Sequence, residues 1–565
     1  MKKLFLKCFY NNKILFLGMV AVIAIVTIFP YFRSGIYGFR TDLIYHLLRI
    51  EGLKESLLNL DYPSRIYYNI FNGYGYGSPM FYPDIFLIIP ALFRIVGLSV
   101  TLSFKLFALI ITIVASITTF YSMKIIIGDY KLSICATMLI MLSQFYLTDL
   151  MNRVGLSEYL AYVFIPLLFA GVFDFFAKSG KKVYLIGIAL VGLLLSHTIM
   201  FFLGVLITVV FMIVGLVVEL VKKKYNGVKW LNLIIVGVVS ILISSYYWMP
   251  LLEQVFNSNL HYTEPWAHIG EYTQPLYTFF LVTGHFNYIA YVGIGIPVLL
   301  LIVVRLFIKK TENVWNDVFL LGGIALILCT TRIIPWGILE KTILNSIQFT
   351  YRFYPYALCM LSIGVILSLK QLLTDIDSRK IYNRVFVVVS AMAVVFGVWQ
   401  NYSILSRETN TNLEYAIEEE NNLVGEGKEW LPLNSKNPEE YKKDDPVKFD
   451  DNNVTTNKEG NRVEFEANQK GEYEVPFVYY KGYYAYKTLS DYSNEELTVE
   501  ESKNGLVKVV NDSNDGKVVV YYKGTIIQKV SLVISIVTIV VVCIFLFWKK
   551  RKNKNGEKDE NITNR

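Results

Sequence analysis

Residues 14–32 read ILFLGMVAVIAIVTIFPYF, a run without a single charge, close to the ~20 apolar residues an α-helix needs to cross a bilayer. Runs of the same kind recur as far as Tyr402 and once more over Thr525–Trp548, so the chain reads as a polytopic α-helical membrane protein. Composition agrees: of 565 residues, 54% are hydrophobic and 18% charged, and the mean hydropathy is +0.43, far to the apolar side of soluble globular chains. A cytosolic enzyme and a nucleic-acid partner are excluded on these grounds, and the bilayer is the first partner.

Charge sets the expected topology. Lys2, Lys3, Lys7 and Lys13 precede the first run and no small-residue cleavage site follows, which predicts an uncleaved first span with residues 1–13 in the cytoplasm. Basic loops at Lys178–Lys182, Lys222–Lys229, Arg305–Lys310, Lys370–Arg384 and Lys549–Lys554 join them there by the positive-inside rule. The stretch Phe81–Leu98 is broken by Pro83, Asp84, Pro90 and Arg94 and is expected to be re-entrant or interfacial, because counting it as a thirteenth crossing would turn Lys178–Lys182 outward. Twelve spans remain, at 14–32, 103–123, 131–149, 155–177, 183–197, 199–220, 230–249, 286–308, 316–334, 346–369, 385–402 and 525–548. Both termini then lie in the cytoplasm of a multi-pass cell-membrane protein, with 549–565 as a basic tail.

Outside the expected multi-span unit of 14–402, with its outer loop 33–102, the segment 403–524 differs in kind. It carries 25 acids and 15 bases, against 21 acids and 39 bases elsewhere. Short alternating stretches such as Arg462–Glu466, Tyr473–Val478 and Leu506–Tyr522, punctuated by Asn-Gly, Asp-Gly and Lys-Gly, predict a small β-rich extracytoplasmic domain tethered at both ends. The five cysteines lie in or beside apolar runs and suggest neither a disulfide framework nor a thiolate metal site.

Four stretches could carry chemistry. In 39–53, FRTDLIYHLLRIEGL, Asp42, His46 and Arg49 fall on one side of a helix and Leu43, Ile44, Leu47 and Ile50 on the other, which places a helix at the outer membrane surface, apolar side down. It is either a plain interfacial helix with a solvated face or a site joining a proton acceptor or metal ligand to a cation for phosphate. In 72–84, NGYGYGSPMFYPD, three glycines interleave with tyrosines. That pattern predicts a loop of tight turns displaying Tyr74 and Tyr76 beside Asp84, for a sugar or acceptor contact or as an interfacial aromatic belt. Arg153 and Glu158 stand where the chain re-enters the membrane, as a structural ion pair or the lining of a cavity. Gln348 and Arg352 open the run 346–369, a snorkelling cation or a second cation for a phosphate. No nucleotide-binding loop, nucleophile elbow or histidine pair at ligand spacing occurs, so neither a nucleotide nor a redox cofactor is expected.

The order Asp42-Leu43-Ile44-Tyr45-His46, then 72–84, then NRVGLSE at 152–158, IQFTYRF at 347–353, GEGKEWLPLN at 425–434 and VPFVYYKGY at 475–483 resembles the bacterial membrane family labelled 6-pyruvoyl-tetrahydropterin synthase-related, close to YfhO-like proteins. The likeness runs along nearly the whole chain. The pterin label carries no activity here, since the three-histidine zinc site of that soluble enzyme has no counterpart. The resemblance implies a GT-C type glycosyltransferase with a polyprenyl-phosphate-linked sugar as donor and a cell-envelope glycan or lipid as acceptor. It implies Asp42 as general base or as holder of a divalent cation, with Arg153, Glu158 and Arg352 at the outer cavity. Thr350-Tyr351 stands ahead of Arg352 where an aromatic-proline step is more usual. Two rival classes stay open: a transporter or flippase for a lipid-linked glycan, and a non-catalytic envelope scaffold.

Overall fold

The computed structural model describes residues 11–34, 40–263, 267–280, 285–287, 289–308, 311, 313–405, 428–489, 493–512 and 516–563. Among these, seven helices are long and apolar enough to cross a membrane: Asn12–Pro30, Val100–Ile127, Leu156–Ala177, Thr198–Val221, Thr350–Ile376, Arg379–Leu405 and Ile526–Arg551. Two bent pairs, Tyr130–Met141 with Gln144–Arg153 and Gly227–Ile243 with Ser245–Asn257, raise the number to nine. The protein is thus an α-helical protein of membrane type.

The other three expected crossings fall on apolar helices of 10–17 residues: Tyr184–Leu194, Ile296–Phe307 and Val314–Leu328. At 1.5 Å per residue these fall short of the ~30 Å hydrocarbon core. Local breaks shorten them. The first stops where His197 caps the next helix. The run expected to start at 286 instead opens as a hairpin of β1 (His285–Asn287) and β2 (Ile289–Tyr291) and becomes helical only after Gly295, at φ 90°. Ile85–Ile95 is equally short.

The two ends of the bundle differ. Lys178 and Lys370 both reach the C-terminus of Val100–Ile127, the first donating to the Ile125 carbonyl and the second to Ile127 O at 2.6 Å, where a cation meets the unpaired carbonyls and the negative end of the helix dipole. The chain turns there through Gly128 and Asp129 and runs back, through Tyr130–Met141, to Asp149 and Arg153 at the opposite end. Helices 314–328 and 354–376 press together because Gly323 and Gly364 leave room. A Cβ on Gly364 would sit 2.6 Å from the backbone nitrogen of Leu320, and one on Gly323 2.9 Å from that of Leu361. Small residues at such a crossing replace the hydrophobic drive that lipid cannot supply. Gly364→Ala should therefore force these helices apart at a cost of about 1–3 kcal/mol, read as a lower unfolding temperature in detergent.

The C-terminal unit is β-rich. Nine antiparallel strands, β3 (Val447–Phe449), β4 (Asn452–Val454), β5 (Thr456–Glu459), β6 (Arg462–Glu466), β7 (Gly471–Val478), β8 (Tyr483–Thr488), β9 (Asn494–Glu501), β10 (Leu506–Asn511) and β11 (Lys517–Tyr522), pair in the order β4-β3-β7-β10-β9-β8-β11-β6-β5. Strand β9 turns the corner: its first half pairs with β8 and its second with β10, so one strand serves both halves of the sheet. Alternation in the sequence becomes alternation of burial, as in β6, where Val463 and Phe465 point inward and join Val475, Phe477, Ala485, Val507 and Val518 in the core. The final helix begins at Ile526, four residues after β11 ends at Tyr522.

Candidate functional site

The expected site stretches meet around Arg153. Asp149–Arg153 form a single π-helical turn closed by Val154 at φ 56°, a local geometry frequent where a helix is interrupted for function. Gly155 follows because there is no space for more: a Cβ there would lie 2.7 Å from Asp149 Oδ1 and 3.3 Å from Arg153 Nη1. The turn aims Arg153 at three carboxylates. Its Nε stands 3.1 Å from Asp42 Oδ2, its Nη1 3.6 Å from Asp149 Oδ1, and Nη1 also bonds Glu158 Oε2. Its guanidinium lies over the Tyr351 ring, 5.0 Å from the centroid.

Glu158 joins both arginines. Its Oε1 accepts from Arg352 Nε at 2.7 Å, and Arg352 Nη1 donates to Ile347 O at 2.6 Å and Gln348 Oε1 at 2.9 Å. Arg352 covers the Phe349 ring at 4.9 Å. His197 completes this side. Its Nδ1 accepts from the backbone of Ile199 at 3.2 Å and Met200 at 3.3 Å, so the ring proton belongs on Nε2, 3.5 Å from Glu158 Oε1. Exposure grades through the cluster: the Asp42 side chain is 38% exposed, Arg153 13%, Arg352 5% and Glu158 1%. Asp42 is the open end of a charge chain whose other end is buried.

The helix Arg40–Leu58 that carries Asp42 is not the interfacial helix expected. His46 and Arg49 are 3% and 0% exposed, as buried as Leu43, Ile44 and Leu47 behind them. The polar stripe is covered by the loop 72–84, not by water. Arg49 donates to Tyr82 O at 3.0 Å, Pro83 O at 2.7 Å and His46 Nδ1 at 3.4 Å, and its guanidinium lies 4.4 Å from the Tyr82 ring centre. Burial and that neighbouring guanidinium hold the His46 imidazole well below the usual histidine range, so it stays neutral and accepts. Tyr82 links the two halves, stacking with His46 at 6.0 Å and meeting His197 edge-on at 5.5 Å.

The loop 72–84 also departs from expectation, because its aromatic faces are not displayed. Tyr74 and Tyr76 are 3% and 0% exposed. Tyr76 pairs its backbone with Tyr67, and Tyr74 donates to Asp445 Oδ2 at 2.6 Å in the β-rich unit. Asp84 is likewise buried, accepting from the Tyr67 hydroxyl at 2.6 Å, and is no surface contact. The β-rich unit covers this loop: Phe81 stacks on Trp430 with centroids 4.8 Å apart, Tyr480 donates to Trp430 O, and Val478 N bonds Tyr74 O. Beside them Lys458 is drawn over the Tyr74 ring at 4.9 Å and the Phe477 ring at 5.4 Å. Burial pulls its ammonium down to about 8, against about 10.4 unfolded. Folding thus releases a proton between those values, and this contribution to stability is present above pH about 10 and lost as pH falls through about 8. The unfolding temperature of Lys458→Met relative to the unmutated protein should therefore fall as pH rises from 7 to 10; a constant difference would refute this.

Two members of the cluster were not among the residues singled out in sequence. Asp149 is fully buried and, among the described residues, neither of its carboxyl oxygens accepts a hydrogen bond; a carboxylate inside an apolar run, one helical turn ahead of Arg153, was the available signal. His197 was legible only as a break in an apolar hairpin.

A bundle of membrane-type helices with a charge chain at one end, and a β-rich unit packed on the loop 72–84 beside it, is the class of protein the fold and site define. No family model matches the chain. An uncharacterized protein of Lactococcus lactis subsp. cremoris (strain MG1363) is 24% identical over 623 aligned positions that cover 96% of each chain, so the similarity spans helices and β-rich unit alike.

Proposed function

We propose that the protein is a membrane glycosyltransferase of the GT-C type, moving a sugar from a polyprenyl-phosphate-linked donor to a cell-envelope acceptor on the outer face of the bacterial membrane. The observation that carries this reading is the convergence of Asp42, Arg153 and Arg352 through Glu158, with the carboxylate at the open end and the cations behind it. In this reading the three shorter apolar helices cross together with their non-helical flanks, giving about twelve passes, both termini and the lysine-rich end face the cytoplasm, and the β-rich unit stands outside.

The donor enters from the bilayer with its prenyl chain between helices, and its phosphate competes with Asp42 for Arg153. That exchange frees the Asp42 carboxylate. The acceptor hydroxyl gives its proton to Asp42, its oxygen bonds the anomeric carbon, and the bond from that carbon to the phosphate oxygen breaks with its electron pair. The leaving polyprenyl phosphate carries the charge, and Arg153 and Arg352 offset it in a site of low polarity. Glu158 and Gln348 hold Arg352 in place for that task. A divalent cation does not fit this donor set, because Asp42 and Glu158 face guanidinium groups that would repel it.

The test is a membrane assay with radiolabelled polyprenyl-phosphate sugars. Label moved into polymer or lipid by the unmutated protein but not by Asp42→Asn supports the reading. Label moved by neither from any donor supplied overturns it in favour of transport or scaffolding.

A further inference from the structure

The junction between the loop 72–84 and the β-rich unit encloses a second feature, remote in sequence from the charge chain. A pocket of about 240 Å³ lies between Tyr74 on one side and strands β3, β7 and the turn before β10 on the other. Its aromatic wall is a pair of rings, Tyr74 and Tyr441, edge to face with centroids 4.9 Å apart. Both residues are buried, and Tyr441 is fixed further, accepting from Lys436 N at 2.8 Å and donating to Asn504 O at 3.3 Å.

The polar groups are equally placed. Asn504 Nδ2 donates to both oxygens of Glu474, at 3.1 and 2.9 Å. Asp445 Oδ2 accepts from the Tyr74 hydroxyl at 2.6 Å and from Lys442 N at 2.9 Å. Three lysines, 436, 442 and 448, balance three acids, Glu440, Asp445 and Glu474, around the wall. No net charge selects an anion or a cation. Two fixed carboxylates, an amide and surface ammonium groups offer instead what a neutral polyhydroxylated ring needs, acceptors and donors for several hydroxyls at once, and the buried edges of Tyr74 and Tyr441 close the inner wall. The volume falls just below the ~300–1,000 Å³ of pockets for drug-sized ligands, which suits a single sugar residue of a longer chain.

We propose that this pocket binds one residue of a neutral saccharide. Only the assignment of that saccharide as the acceptor rests on the glycosyltransferase reading. Saccharide binding itself stands apart from it, because the loop 72–84 places Tyr74 in the pocket while its far end, Tyr82, lies against the charge chain.

The experiment uses the full-length protein in nanodiscs, titrated by saturation-transfer NMR with tetrasaccharides of glucose, galactose, rhamnose and N-acetylglucosamine. At least one should bind with Kd below about 1 mM, and Glu474→Gln and Asp445→Asn, which preserve shape, should each weaken it about tenfold. Unmutated protein that binds a sugar here but moves no label from any polyprenyl-phosphate donor would sink the glycosyltransferase reading and keep this one. No binding by any sugar at about 10 mM, binding untouched by both folded pocket variants, or capture of a peptide with no sugar bound would overturn the proposal.

Discussion

If the protein is the glycosyltransferase proposed above, asparagine at position 42 is expected to lower sugar transfer by about 10²–10⁴-fold, the range that general-base assistance contributes, while the protein folds and melts almost as before. Asparagine fills the same volume and can still accept from Arg153, but it has no lone pair basic enough to take the acceptor's proton. The Asp42 side chain is 38% exposed where it meets Arg153 at 3.1 Å, and an ion pair so open to solvent is worth about 1 kcal/mol or less. Arg153 retains Glu158, so the rest of the network keeps its charge balance. The measurement is initial rate against melting temperature for the same purified sample. Transfer retained to within tenfold would remove Asp42 from the chemistry.

Glu158 should behave in the opposite way. Its side chain is 1% exposed and is the shared partner of Arg153 and Arg352, themselves 13% and 5% exposed. Replacing it with leucine leaves guanidinium groups facing an apolar side chain, and breaking a buried pair from one side costs about 3–5 kcal/mol because the remaining charge is uncompensated. Glu158→Leu should therefore unfold well below the unmutated protein in detergent, and transfer should vanish with it. The diagnostic is the double variant Glu158→Leu/Arg352→Leu. If the loss comes from stranded charge, the double variant melts higher than Glu158→Leu alone; if it melts lower, by the sum of the single losses, the pair contributes only packing.

How far the sequence could be read depended on the range of the forces involved. Apolar runs had to become helices because lipid leaves backbone groups no other partner, and alternation in 462–522 had to become strands with one buried side. The meeting of residues 152–158 with 347–353 could be anticipated as ionisable groups at membrane depth that require partners. What the partners were could not. His46 and Arg49 look like a solvated stripe until the carbonyls of Tyr82 and Pro83, more than 30 positions on, close over them. Tyr74 and Tyr76 look like displayed rings until Tyr441 and Trp430 arrive from the β-rich unit. Three of the twelve expected crossings were lengthened on paper by residues that cap, kink or pair as a hairpin in space, which a hydropathy window does not distinguish from helix.

The route by which β11 joins the last helix has a mechanical corollary. That strand sits inside the sheet, between β8 and β6, and the helix it leads into is pinned at Ser245, whose hydroxyl lies 2.9 Å from Ser535 Oγ and from Ser531 O. A central strand spliced by so short a splice to an anchored rod cannot swing as an arm would. The β-rich unit is held like a gantry, with its central strand running straight into a helix bolted to the bundle at Ser245.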